Sequence, residues 1–247
     1  MLLLLPQSSG PGGRAALTDG LAAAHRVIEY SQRGTGASSS WSAPMSMFEQ
    51  ASDAQAVLSA SGTREVHLFC HSTGCGIGIA LAHRSGQRVA SLTLVNPWTF
   101  GDTYLEGAQR LRIALANALE PREYARYNAA LLFPPEYRRE YAAHFERQAD
   151  STVNRPHNAS EIARRLEAIL AFDARELLPA LNLPSWVIGA SDDQLMPPWF
   201  ASEAAALLPD SRLEVLKGGG HMLTETRAGA LLERLLPWYA GLDAAAR

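Results

Sequence analysis

Short, β-rich apolar runs alternate with helical stretches along most of this chain, and that alternation limits its fold more than any other feature. The runs are residues 2–5, 26–30, 66–70, 91–96, 185–189 and 213–216. Helical patterns fill 47–61, 73–85, 200–208 and 228–242, and in the last of these Leu231, Leu232, Leu235 and Leu236 form one apolar stripe. Strands that alternate with helices predict an α/β fold, a mostly parallel, doubly wound sheet covered on both faces. A length of 247 residues suits one such domain, or one domain carrying an insertion.

The alternation stops between residues 99 and 178. Four helices are expected there, at 104–119, 123–132, 136–149 and 160–172, punctuated by Pro121, Pro134 and Pro156. Ile162, Leu166 and Ile169 share one helical face. A helical insert between two sheet strands reads as a cap over the sheet's carboxyl edge, where open α/β sheets bind ligands. The expected division is a core of 1–98 and 179–247 with a cap of 99–178.

Composition excludes several classes. A net charge of −3 supplies no basic footprint for nucleic acid. The opening Leu2-Leu3-Leu4-Leu5 has no basic flank and is ended early by Pro6, so it reads as a buried strand and not as a signal peptide. No run is long enough to span a bilayer. The two cysteines, Cys70 and Cys75, show neither disulfide nor metal-ligand spacing, and a reduced, cytoplasmic setting is the default. The expected partner is a small-molecule substrate, with no membrane, nucleic acid, metal or cofactor, and with the oligomeric state open.

The segment 67–76, HLFCHSTGCG, carries the chemistry. An apolar strand runs into Ser72 and a small-residue helix leaves it, which describes a nucleophile elbow. The sharp turn needs small residues two before and two after the serine. Gly74 meets the second need, and Cys70 stands at the first at some steric cost. The Thr73 N–H lies at a helix N-terminus and suits one half of an oxyanion hole. The other donor is expected from the loop after the first strand, with Ser8 first and Gln7 in reserve.

A serine hydroxyl needs an adjacent base. His221 follows the strand 213–216 in the glycine-rich loop Lys217-Gly218-Gly219-Gly220 and is the expected base. The acid should follow another strand and precede the histidine, in Ser191-Asp192-Asp193. Neighbouring side chains cannot both face one site, and Asp193 is preferred over Asp192. Trp98, after a strand end, is the candidate to line the substrate pocket. His71 should face away from the serine hydroxyl, His67 and Cys75 read as packing residues, and most arginines of the insert read as a solvated face, with one or two able to clamp a carboxylate.

With Ser72, Asp193 and His221 in that order, nearly the whole chain resembles the α/β-hydrolase superfamily. Residues 30–38, YSQRGTGAS, look like the family's Y-D-x-R-G-x-G-x-S loop, with Ser31 in the aspartate's place. Residues 189–197 resemble its acid loop, where the aspartate precedes proline by four positions, which selects Asp193. Pro6-Gln7 replaces the common His-Gly before the oxyanion residue, and the sequence starts at the first core strand without the leading hairpin of many relatives. The likeness is nearest to small, capped, cofactor-free members: aminoacrylate hydrolases, enol-lactonases and C–C hydrolases. It implies serine-dependent hydrolysis of a small ester, lactone, thioester or related carbonyl compound. Acyl transfer or cyclisation on the same fold, or a non-catalytic binder, are the alternatives.

Overall fold

In the computed structural model, residues 1–5, 15–35, 37–39, 41, 45–85, 88–153 and 158–245 are described. The first half runs β1 (Leu2–Leu4), α1 (Ala15–Ala22), α2 (Met47–Ala60), β2 (Val66–His71), α3 (Thr73–Ser85) and β3 (Val89–Val95). The insert follows as α4 (Thr103–Ala118), α5 (Pro121–Leu132), α6 (Pro135–Glu140), α7 (Ala142–Ser151) and α8 (Ala159–Leu170). The chain closes with β4 (Ser185–Ala190), α9 (Pro198–Leu207), β5 (Ser211–Leu216), α10 (Leu223–Thr226) and α11 (Ala228–Ala245).

The strands form one parallel sheet in the order β1-β2-β3-β4-β5. Side chains alternate between its faces, as the period of two requires. Leu68 and Cys70 of β2 pack with Met47, Ile77 and Phe200 on one face. Phe69 packs with Leu17, Trp186, Leu231 and Tyr239 on the other. Helices α2, α3 and α9 therefore cover the first face, and α1 and α11 the second.

The expected strand 26–30 does not form. Only Ile28 bridges Leu2, on the side of β1 away from β2, and its carbonyl takes the Leu3 N–H at 3.0 Å. The partner strand is three residues long, and among the described residues nothing pairs with the run's outer side, so no ladder propagates. The bridge still has a topological consequence. The chain crosses to one side of β1 through α1, then returns through α2 to β2 on the other side. In open α/β sheets ligands bind at the carboxyl ends of the strands where the chain reverses in this way, here beyond β1 and β2.

The insert departs from expectation once. The helix expected at 136–149 breaks at Tyr141, whose φ of −106° and ψ of 28° leave the helical region. The break accompanies an aromatic cluster in which Phe145 meets Phe133 edge-on at 5.0 Å and Tyr137 stacks on Phe133 at 5.7 Å. Tertiary packing overrides a continuous helical propensity here. Pro121 and Pro135 sit in first turns, where their missing N–H costs nothing, and Pro156 lies outside the described residues.

The insert rests on the loops at the carboxyl edge. Trp98 donates its indole N–H to the Ile169 carbonyl at 3.2 Å, Tyr104 donates its hydroxyl to the Gln194 carbonyl, and the Met222 N–H reaches the Leu132 carbonyl at 3.2 Å. Among the described residues no helix is long and apolar enough to cross a membrane.

Candidate active site

The first side chain of the site is set by backbone strain. Ser72 joins β2 to α3 with a φ of 53°, a left-handed conformation costing roughly 1–3 kcal/mol for a residue with a Cβ. Its backbone is tied on both sides: its N–H donates to Val95 O at 3.0 Å and its carbonyl accepts from Cys75 N at 2.7 Å. Gly74 makes the turn possible, because a Cβ there would lie 1.8 Å from the Leu4 carbonyl oxygen. The steric cost expected from Cys70 is absorbed two turns away. Its Sγ occupies the space a Cβ on Gly78 would need, at 2.3 Å. Thr73 opens α3, so its N–H belongs to the turn that has no intrahelical acceptor.

His221 sits on a loop that only glycine can build. Gly218, Gly219 and Gly220 have φ of 71°, 114° and 64°. With no side chains of its own to pack, this loop is held from neighbouring strand ends. The Ser191 hydroxyl accepts the Gly218 N–H at 3.1 Å, and an Asp192 carboxylate oxygen accepts the Gly220 N–H at 2.8 Å. Asn96, after β3, donates its amide to the His221 carbonyl at 2.8 Å and to the Gly220 carbonyl at 3.2 Å, while its oxygen accepts the Ala190 N–H at 3.0 Å. It too is left-handed, with φ 47°.

The result is a chain of three side chains. His221 Nε2 lies 2.7 Å from Ser72 Oγ, and Nδ1 lies 2.7 Å from Asp193 Oδ2. The other Asp193 oxygen accepts the N–H groups of Leu195 at 2.8 Å and Met196 at 2.9 Å. A carboxylate beside Nδ1 makes that nitrogen the donor, which leaves the Nε2 lone pair facing the serine hydroxyl. Ser72, His221 and Asp193 are 5%, 2% and 3% exposed, so these contacts work in a dry setting where they are stronger than in water.

Other expected residues are placed differently. Asp192 does not meet His221's ring; it pins the loop's backbone. Trp98, expected to line the pocket, is 0% exposed and packs on Phe172 at 5.8 Å. Its Cζ2 and Cη2 fill the space a Cβ on Gly76 would take, so it ties the core to α8. Ser8 and Gln7 lie outside the described residues. Cys75 is buried, with its thiol toward Val95 O. Sequence reasoning missed the loop-holding contacts of Asn96, Ser191 and Asp192. The available signal was polar residues at the carboxyl ends of otherwise apolar strands.

A second Ser–His–Asp chain tests whether distances alone identify a site. His67 lies 2.8 Å from Ser91 and 3.0 Å from Asp243, beside a cavity of about 450 Å³ at the opposite edge of the sheet. Ser91 is a fully buried mid-strand residue with no helix N-terminus after it. It lacks both the elbow and the anion site that accompany Ser72. Among the described residues no cluster of His, Cys, Asp and Glu is arranged to hold a metal.

The arginines of the insert also divide. Arg110, Arg122 and Arg126 form exposed ion pairs with Glu106, Asp150 and Glu123. Arg112 is different: it lies half-buried between α4 and α5, donates to the neutral amides of Gln109 at 3.0 Å and Asn128 at 3.2 Å, and has the neutral Tyr124 as a further hydrogen-bond partner. Burial holds its pKa below the usual arginine value. In the loop 30–39, Arg33 forms a two-pronged pair with Asp53 at 2.6 Å, and Arg165 of α8 reaches the Gly34 carbonyl at 2.9 Å.

The chain is similar to several known proteins. A family model described as the alpha/beta hydrolase fold matches residues 8–228. A protein of Azorhizobium caulinodans named "Putative carbamate hydrolase RutD" is 33% identical over 240 residues, 96% of this chain and 91% of its own. One of the same name from Variovorax paradoxus is 34% identical over 244 residues, with the same coverage. Among solved structures, the enol-lactonase of Burkholderia xenovorans LB400 superposes with a TM-score of 0.84 at 21% identity, covering 97% of this chain and 90% of its own. A hydrolase from a deep-sea metagenome, MGS-M2, gives 0.87 at 15%, covering 97% and 88%. At such identities the structural likeness speaks for the fold alone.

Proposed function

The chain belongs to the α/β-hydrolase family and is a hydrolase, and on that premise we propose that it works through Ser72, His221 and Asp193 on a small carbonyl substrate. The observation that carries the proposal is the unbroken chain of 2.7 Å contacts from the Ser72 hydroxyl through His221 to Asp193. Ser72 Oγ attacks the carbonyl carbon as His221 Nε2 takes its proton. The Thr73 N–H and a donor from the loop after β1 receive the oxyanion. His221 then gives the proton to the leaving group, and the same nitrogen activates the water that releases the acyl group. Asp193 holds the required tautomer and balances the imidazolium. The insert 99–178 acts as the cap that closes over this chemistry.

The test is covalent. A fluorophosphonate should label Ser72, forming an oxygen–phosphorus bond as fluoride leaves and His221 takes the serine proton. Intact mass and peptide mapping read it. A folded protein that stays unlabelled, or carries the adduct elsewhere, defeats the proposal in favour of a binder.

Arg112 narrows the substrate class. A guanidinium withdrawn from water costs free energy unless it meets a counter-charge, and among the described residues its side-chain hydrogen-bond partners Gln109, Asn128 and Tyr124 are all neutral. Its partner Asn128 lies one turn before Leu132, whose carbonyl holds Met222 beside His221. We infer that the substrate brings an anionic group. The carbamate chemistry in the relatives' name is one member of that class. Arg112→Met should lower kcat/KM for p-nitrophenyl hemisuccinate by roughly ten- to a hundredfold, the worth of a charged hydrogen bond, and spare p-nitrophenyl acetate. Equal losses on both esters would remove the assignment.

A further inference from the structure

We propose that His71, the residue before Ser72, is a positioning residue for His221, gripping the base's backbone from the strand that carries the nucleophile. The inference rests on the reading of Ser72 and His221 as nucleophile and base, and its test separates the two.

The geometry leaves one arrangement of the His71 ring. Nε2 lies 2.7 Å from the His221 carbonyl oxygen, which only accepts, so Nε2 carries the proton and donates. Nδ1 is then a bare acceptor, and the Thr224 hydroxyl, 3.0 Å away, donates to it. Both nitrogens are satisfied in a ring that is 0% exposed. Burial and the nearby His221 push its pKa down to about 3, so the ring stays neutral. Neutrality matters, because the two imidazoles sit 5.5 Å apart and a second charge there would oppose the imidazolium that forms on His221.

Simple strand alternation makes His71 irrelevant, since its side chain points away from the Ser72 hydroxyl. The fold gives that direction a use. The His71 backbone is covalently joined to Ser72, and its side chain is hydrogen-bonded to His221. One residue thus sets the spacing between attacking oxygen and accepting nitrogen. The need is plain from the loop itself, where three consecutive left-handed glycines precede His221 and contribute no side-chain packing. Asn96 grips the same carbonyl from β3, so two donors from adjacent strand ends hold it.

His71→Leu removes the donor and keeps a buried apolar side chain. His71→Gln keeps a donor where Nε2 stood. The expected results are a fall of about a hundredfold in fluorophosphonate labelling rate for His71→Leu, the scale of about 1 Å misplacement, with KM for p-nitrophenyl acetate unchanged. His71→Gln should stay within about tenfold of wild type, because its amide N–H replaces the lost donor. The downfield proton resonance of the His221 Nδ1–H should broaden in the leucine variant and persist in the glutamine variant. Equal losses in both, or none in His71→Leu, overturn the assignment. If both variants fail to fold, Thr224→Val decides it: slowed labelling with an unchanged melting temperature supports the proposal, and wild-type labelling defeats it. Unlabelled wild type would instead defeat the nucleophile assignment itself.

Discussion

Ser72→Ala should lower kcat for p-nitrophenyl acetate by roughly a million-fold, as expected when nucleophile and base act as a unit. The variant should fold normally. Alanine takes the left-handed φ of 53° at a cost like serine's, and the backbone bonds to Val95 and Cys75 do not involve the hydroxyl. Among the described residues the hydroxyl's hydrogen-bond partner is His221 Nε2, so its loss removes chemistry and little packing. A value within tenfold of wild type, from protein whose mass excludes contamination, would mean that another group attacks. Ser91 would then return as a candidate, and Ser91→Ala would be the next measurement.

Asp193→Asn carries the second-largest expectation, a loss of roughly ten-thousand-fold in kcat with KM little changed. The expectation follows from the hydrogen bonds around Asp193. One Asp193 oxygen accepts the N–H groups of Leu195 and Met196, so an asparagine there must put its carbonyl oxygen in that place. Its amide nitrogen then faces His221 Nδ1 and donates to it. His221 takes the other tautomer, with the proton on Nε2, and cannot accept from Ser72. Asp192→Asn provides the contrast. There one oxygen accepts the Gly220 N–H, and an asparagine carbonyl can do the same, so activity should stay within about tenfold of wild type. Similar losses in the two variants would show that the acid had been misassigned.

The parts of this protein that could be read without coordinates are those governed by local rules. Residues 66–71 alternate toward two faces and end at a serine followed by Gly74, Gly76 and Gly78, and the elbow follows from that spacing. The glycine loop before His221 reads equally directly, since three glycines in a row after a strand announce backbone that other residues cannot adopt. What misled was context. The run 26–30 has strand composition, yet among the described residues its ladder partner is the three-residue β1 alone. The helix at 136–149 has a helical pattern, yet it breaks at Tyr141 beside the aromatic cluster on Phe133. Trp98 has the composition of a pocket wall, yet Gly76 draws it into the core.

By itself, then, the sequence determined the alternating α/β plan, the strained turn at Ser72 and the chain order of serine, acid and histidine. Each depends on spacing within one strand, turn or helix. Only the tertiary structure decided that Asp193 meets the imidazole while Asp192 holds the loop, and that His71 and Asn96 grip the carbonyl of His221. Those contacts join residues from about thirty to a hundred and fifty positions apart. They exist because parallel strands bring their carboxyl ends together at one edge, and no local pattern records which ends become neighbours.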